Sequence, residues 1–247
     1  WSCRHADVLE VGSGVSLEGI EDIAFDVKGQ RLILSAYNRR TDELGAIYVL
    51  PLDGLAQQSP QALRLFYDGP LRPHGIDYDT ENQQLWVIDR VGVPYRPTLR
   101  RLVLADETLS EVNDYDGDAL CHANDVLVRD GRVFLTNDRN SCTGLGAWIA
   151  QIFGTKNGQV KELNGQGFDA FGPSFNFPNG IVAWQGGVLV SATRSNTLHR
   201  LSLTGEILDE IELEFPPDNL TLGDDGAVYF TGFDSLIGYA WFRSDKD

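Results

Sequence analysis

Methionine is absent from the 247 residues, and the chain opens on Trp1. A processed or trimmed product is therefore expected, with any export signal already removed and an extracytoplasmic setting suggested. Cysteine is scarce: Cys3, Cys121 and Cys142 are an odd number and do not make a disulfide framework. Cys121 and Cys142 flank one hairpin and either pair across it or stay as thiols, and Cys3 has no third partner. Basic residues are also few, 20 Lys and Arg against 36 Asp and Glu. The resulting formal net charge of −16 argues against a nucleic-acid partner, because phosphate binding wants a basic face. No apolar run reaches the ~18 residues of a membrane span. No window carries an apolar stripe at helical spacing beyond about three turns, so helix is nearly missing too.

What remains is a chain with 42% hydrophobic and 10% aromatic residues, enough to bury a sizeable core. Short β-branched and aromatic runs alternate with Gly, Asp and Asn, which predicts an all-β protein. The clearest hairpin is Asp125 to Arg129, an Asp130-Gly131 turn, then Arg132 to Thr136, because both turn residues tolerate positive φ.

That hairpin belongs to a repeat in which a polar pair leads into an apolar strand, a turn and a second apolar strand. The polar starts are Glu21-Asp22, His74-Gly75, Asn124-Asp125, Asn179-Gly180 and Asp218-Asn219. Counted from Asp22, Gly75, Asp125, Gly180 and Asn219, the steps are 53, 50, 55 and 39 residues. Two more strands fit between starts, for example Gly45 to Leu50 and Ala62 to Tyr67. Four strands per step make one β-propeller blade, so residues 1–247 are expected to form a single propeller domain with five visible blades. After the fifth hairpin one strand remains, around Leu236 to Phe242. The N-terminal run Val8 to Val11 is expected to complete that last blade, so that no edge is left open.

In a propeller the first strands of the blades begin at one end of the central channel. The polar pairs should therefore converge although they lie tens of residues apart. Carboxylates with carboxamide oxygens are the ligand chemistry of a hard cation such as Ca²⁺, which takes six to eight oxygens. Thiolates are absent from these starts and imidazoles are few, which disfavours zinc. Any one Asn or Asp before a strand is ordinarily a turn residue, but turns alone do not impose register with a repeat.

Six motifs carry a resemblance: Gly19-Ile20-Glu21-Asp22-Ile23, Pro73-His74-Gly75-Ile76, Asn124-Asp125-Val126, Thr136-Asn137-Asp138, Phe177-Pro178-Asn179-Gly180-Ile181 and Asp218-Asn219-Leu220. In this order, from about residue 3 to residue 232, they resemble the paraoxonase (arylesterase) family, calcium-dependent propeller lactonases related to the gluconolactonase group. The resemblance implies six blades, two Ca²⁺ ions and hydrolysis of lactones or aryl esters. It implies that Glu21, Asn124, Asn179, Asp218 and Asn219 hold a catalytic ion, and that Asp22, Asp125 and the carbonyl of Ile76 hold a structural one. His74 or Asp218 would be the base that activates water, and Phe177 a wall of the substrate pocket. The catalytic ion would polarise the carbonyl under attack. One departure stands out: where the family has a second histidine, this chain has Asp89-Arg90, and an arginine cannot serve as a base.

The sequence leaves two rivals. One is a calcium-stabilised propeller that binds without catalysis, with Arg90 as the mark of a lost catalytic pair. The other is a condensing enzyme of the strictosidine-synthase type, which the ring of carboxylates and carboxamides disfavours. A small-molecule ester or lactone is the expected partner.

Overall fold

The computed structural model describes residues 6–41, 43–92, 96–140, 142, 156–223 and 225–234. Cys3 and the expected strand around Leu236 lie outside the described residues. The protein is all-β, and its sheets are those of a β-propeller, one sheet for each repeat read from the sequence. Among the described residues the helical segments are three short 3₁₀ turns, and no helix is long and apolar enough to cross a membrane. The chain divides into two compact units, one of residues 1–91 and 100–114, the other of residues 92–99 and 115–247.

The strands of the first unit are β1 (Leu9–Glu10), β2 (Ile20–Asp26), β3 (Arg31–Ala36), β4 (Ala46–Pro51), β5 (Gln61–Arg64), β6 (Phe66–Tyr67), β7 (Pro73–Asp79) and β8 (Gln84–Asp89). Most of β9 (Thr98–Ala105) and β10 (Thr108–Tyr115) also belongs to it. They form two sheets, ordered β1-β5-β4-β3-β2 and β6-β10-β9-β8-β7. Ala24, Ile33, Ile47 and Val49 of the first sheet pack on Ile76, Leu85, Val87 and Leu102 of the second. Apolar burial of this kind stabilises at about 25 cal/mol per Å².

The N-terminal strand is placed differently from the expectation. It joins β5 of the first sheet in parallel, with Leu9 opposite Gln61, and among the described residues it is not part of the last sheet. Backbone bonds Leu9 N–H to Pro60 O (2.9 Å) and Val11 N–H to Ala62 O (2.9 Å) satisfy an edge that β5 would otherwise leave open. Val8 and Leu17 meanwhile cover the apolar cluster of Leu32, Leu34, Leu50 and Ala62.

The second unit holds β11 (Ala123–Arg129), β12 (Arg132–Asn137), β13 (Gly158–Asn164), β14 (Gly167–Phe175), β15 (Pro178–Trp184), β16 (Gly187–Ala192), β17 (Thr197–Leu201), β18 (Ile207–Glu212), β19 (Pro217–Leu222) and β20 (Val228–Gly232). They make two four-stranded meanders and a two-stranded sheet. Leu127, Phe134, Val160 and Phe171 pack on Ile181, Val188 and Val190, and Leu189 and Leu198 on Leu220. The Asp130-Gly131 turn has φ of 51° and 75°, as its composition requires. Cys121 and Cys142 are joined by a disulfide, their Cα atoms 5.1 Å apart.

Candidate functional site

Every blade begins with the same irregularity. In each first hairpin the register slips at the polar pair: between Ile20 and Asp22, Pro73 and Ile76, Ala123 and Val126, Pro178 and Ile181, and Pro217 and Leu220. A β-bulge puts extra residues on one strand and re-aims their side chains. The bulges thus carry Glu21, His74, Asn124, Asp125, Asn179, Asp218 and Asn219, nearly the whole predicted site. A second bond recurs beside them. The residue just after each second strand donates its N–H to the carbonyl just before the first: Tyr37 to Gly19, Arg90 to Arg72, Asp138 to His122, Thr193 to Phe177 and Phe233 to Pro216.

Neighbouring blades within a unit are clasped through these starts. Asp22 accepts Ile23 N–H on Oδ1 (2.9 Å) and Ile76 N–H on Oδ2 (2.8 Å). Asp125 does the same with Val126 N–H (2.7 Å) and Ile181 N–H (2.9 Å). Hydroxyls complete the clasp. Ser35 accepts Asp22 N–H and donates to His74 O (2.6 Å), Thr136 accepts Asp125 N–H and donates to Asn179 O, and Ser191 accepts Gly180 N–H and donates to Asp218 O (2.7 Å). Sequence reasoning missed these hydroxyls, although Ser35, Thr136 and Ser191 hold one register in their repeats. Gly180 fits because a Cβ there would stand 2.7 Å from Asp218 O and from Leu220 N. The burial of Asp22 and Asp125 is thus accounted for by backbone N–H groups, which hold carboxylates well. Ile76, expected to offer its carbonyl to a structural ion, meets Asp22 through its N–H. Asp22 and Ile76 belong to one unit and Asp125 to the other.

Within the first unit Glu21 and His74 come together. His74 Nδ1 is 3.1 Å from Glu21 Oε2, and Arg39 Nη2 reaches the same carboxylate oxygen at 2.9 Å. Arg39 Nη2 also lies 2.8 and 2.9 Å from the two ring nitrogens of His74. Burial first, and then Arg90 and Arg39, push the His74 imidazole down to about 3, against the pull of Glu21. Burial pushes the Glu21 carboxyl up, but His74, Arg39 and Arg90 outweigh it and hold it below its ordinary value. His74 is therefore a neutral ring. Arg39 is a residue that the sequence did not single out, and nothing in its local context marks it.

In the second unit Asn124, Asp125 and Asn179 are buried and Asp218 and Asn219 half-buried. The Asn179 amide donates to Asp218 Oδ1, while Asn179 Oδ1 is buried with no hydrogen-bond partner among the described residues. A buried carbonyl oxygen without a donor costs about 1–3 kcal/mol unless something else meets it, and a cation would. Among the described residues no group of three or more His, Cys, Asp or Glu side chains makes a metal site. The predicted set depends on carboxamides, which such a group leaves out. Phe177 stands directly before β15 at φ 65°, its ring under Arg194 at 5.4 Å. His122, at φ 55°, faces Asp138 at 3.7 Å.

No family model matches the chain, and no curated protein matches it. Among solved structures it is similar to a chain in a crystal structure of a nidogen/laminin complex, at 16% identity and a TM-score of 0.54, over 80% of this chain. It spans 64% of that chain's length. It is also similar to Myxococcus xanthus glutaminyl cyclase, at 12% identity and a TM-score of 0.55, over 87% of this chain and 88% of that one. At such identities the likeness concerns the fold, and it agrees with a β-propeller.

Proposed function

We propose that the chain is a calcium-dependent hydrolase of lactones or aryl esters, of the paraoxonase type that its motifs resemble. The observation that carries the reading is the buried oxygen of Asn179, without a hydrogen-bond partner among the described residues, beside the Asp218 carboxylate on the bulges of adjacent blades. Asn124, Asn179, Asp218 and Asn219 would hold the ion in the second unit. Bound there, Ca²⁺ supplies a Lewis acid for a substrate carbonyl and for the negative charge that grows on its oxygen. Asp218 is the group we assign to take a proton from water, its Oδ1 fixed by the Asn179 amide. His74 is left out of that role because Glu21 and Arg39 already occupy its ring nitrogens. Phe177 gives the substrate an apolar wall. One ion suffices for this reading, since backbone groups already compensate Asp22 and Asp125.

The test is hydrolysis of a panel of γ- and δ-lactones and phenyl acetate, in EGTA and after Ca²⁺ is returned. Activity should vanish and come back, and Asn179→Ala should lose it with the sheet spectrum intact. A second reading, a calcium-stabilised propeller that only binds, is favoured by Arg39 lying on both Glu21 and His74. It predicts a melting temperature that rises with Ca²⁺, as any ligand of the folded form produces, and no turnover on the panel. Failure of Ca²⁺ to move either activity or melting would remove both.

A further inference from the structure

Phe177 holds its backbone at φ 65°, a left-handed conformation that strains a phenylalanine and persists only where the surroundings impose it. In the second unit those surroundings can be traced. Thr193 N–H donates to Phe177 O (3.0 Å) and Arg194 N–H to Asn176 O (3.3 Å), so the segment hangs on the 3₁₀ turn Thr193–Ser195. That turn is held in its own right. Ser195 Oγ lies 3.2 Å from Ala192 O and 2.7 Å from Thr197 Oγ1, which in turn lies 2.9 Å from His199 Nε2. Asn196, at φ 55° between the two hydroxyls, gives its carbonyl to Leu213 N–H (2.8 Å). A chain of hydroxyls thus runs from the turn to the buried ring of His199 on β17.

The same ring packs on Phe175, two residues before Phe177, with the ring centres 5.0 Å apart. His199 therefore grips the segment from both sides, by contact ahead of Phe177 and by relay to the turn that bonds it. On the far side its Nδ1 faces Glu210 Oε2 across the β17–β18 pair at 3.2 Å, without the alignment of a hydrogen bond. Burial holds the ring below its ordinary value, with Glu210 pulling up and Lys156 down. A neutral ring lets Nε2 accept the Thr197 O–H, and the Thr197 oxygen then takes the Ser195 O–H. Carboxylate, imidazole and hydroxyl in this order also describe a nucleophile and its base, but Thr197 is only 5% exposed and has no access to a substrate.

We propose that His199 is a positioning residue: through Thr197 and Ser195, and through its ring on Phe175, it fixes the Phe177 backbone and so sets how the apolar part of an ester fits. The ester rests on the hydrolase reading; the hold on Phe177 does not.

Thr197→Val keeps the outline of the side chain and removes the hydroxyl, whereas Thr197→Ser keeps the hydroxyl. Amide hydrogen exchange of Thr193 should quicken at least about tenfold in Thr197→Val and stay within about twofold in Thr197→Ser. The Asp138 amide makes the same bond to His122 O in the preceding blade; it should not change and is the control for general loosening. In turnover, KM for phenyl acetate should rise at least about fivefold in Thr197→Val with kcat within about twofold, which marks lost binding and not lost chemistry. Melting curves check each variant, and Ser195→Ala, which cuts the same chain, replaces Thr197→Val if that does not fold. Unchanged Thr193 exchange, equal quickening at Asp138 or no rescue by Thr197→Ser would each overturn the proposal, as would an unmoved KM for phenyl acetate. Quickened Thr193 exchange with no ester hydrolysed by any form would sink the hydrolase reading and leave the hold on Phe177 standing.

Discussion

Replacing Asp125 with alanine separates two accounts of why a carboxylate is buried at the start of β11. In the structure it accepts Val126 N–H at 2.7 Å and Ile181 N–H at 2.9 Å, tying one blade to the next. Each hydrogen bond to a charged acceptor is worth about 1.5–3 kcal/mol, and the alanine variant leaves two buried donors unmet. The expected loss is about 3–5 kcal/mol, with water recovering a little of the sum. For a chain of this size each kcal/mol moves the melting temperature by roughly 2–4 °C, so a drop of about 6–20 °C should be seen. The assay is urea unfolding followed by tryptophan fluorescence, run in Ca²⁺ and again in excess EGTA. If Asp125 is a clasp, the variant is destabilised by the same amount in both buffers. If its main work is to hold a structural ion, the wild type loses that ion in EGTA and the difference between the two proteins closes. A loss under about 1 kcal/mol in EGTA would refute the clasp, because the expected desolvation cost is well above that.

Three further outcomes follow from the same geometry. Asp89 is fully buried and holds Arg72 N–H (2.9 Å), Val91 N–H (3.0 Å) and Arg100 Nε (2.6 Å), so Asp89→Ala should cost about 3–5 kcal/mol in chemical unfolding. Gly180→Ala should destabilise by at least about 2 kcal/mol, since its methyl would meet the backbone of β19 at 2.7 Å; a neutral result in thermal melting would contradict that packing. The His74 pKa is lowered from 6.5 to about 3 in the folded chain, so the stability its neutral ring contributes is present above about 6.5 and is lost as pH falls toward 3. NMR titration of the ring should show no protonation at pH 5, and Arg90→Ala should raise the midpoint; a wild-type midpoint near 6.5 would contradict the burial.

Much of the fold could be read along the chain because it is written in local terms. Alternating apolar runs and turns such as Asp130-Gly131 fix strands and hairpins within a dozen residues, and the polar pairs recur in register with them. The residues of the candidate site were legible for the same reason, as a repeated exception to the apolar pattern. What those residues do was less legible. Asp22 read as a metal ligand, yet its carboxylate meets the N–H of Ile76, 54 residues on. Glu21 and His74 read as neighbours of an ion, yet Arg39 lies against both.

By itself, then, the sequence determined that the chain is all-β, where each blade begins and which polar residues break the strand pattern. The tertiary structure alone decided that each break is a bulge, that Ser35, Thr136 and Ser191 carry the bonds between blades, and that the N-terminal strand lies parallel to β5 in the first sheet. The physical reason is that periodicity and turn chemistry act over a few residues, whereas a bulge exists only relative to its partner strand. A buried carboxylate likewise settles on whichever donor packing brings within about 3 Å, and the distance along the chain does not enter.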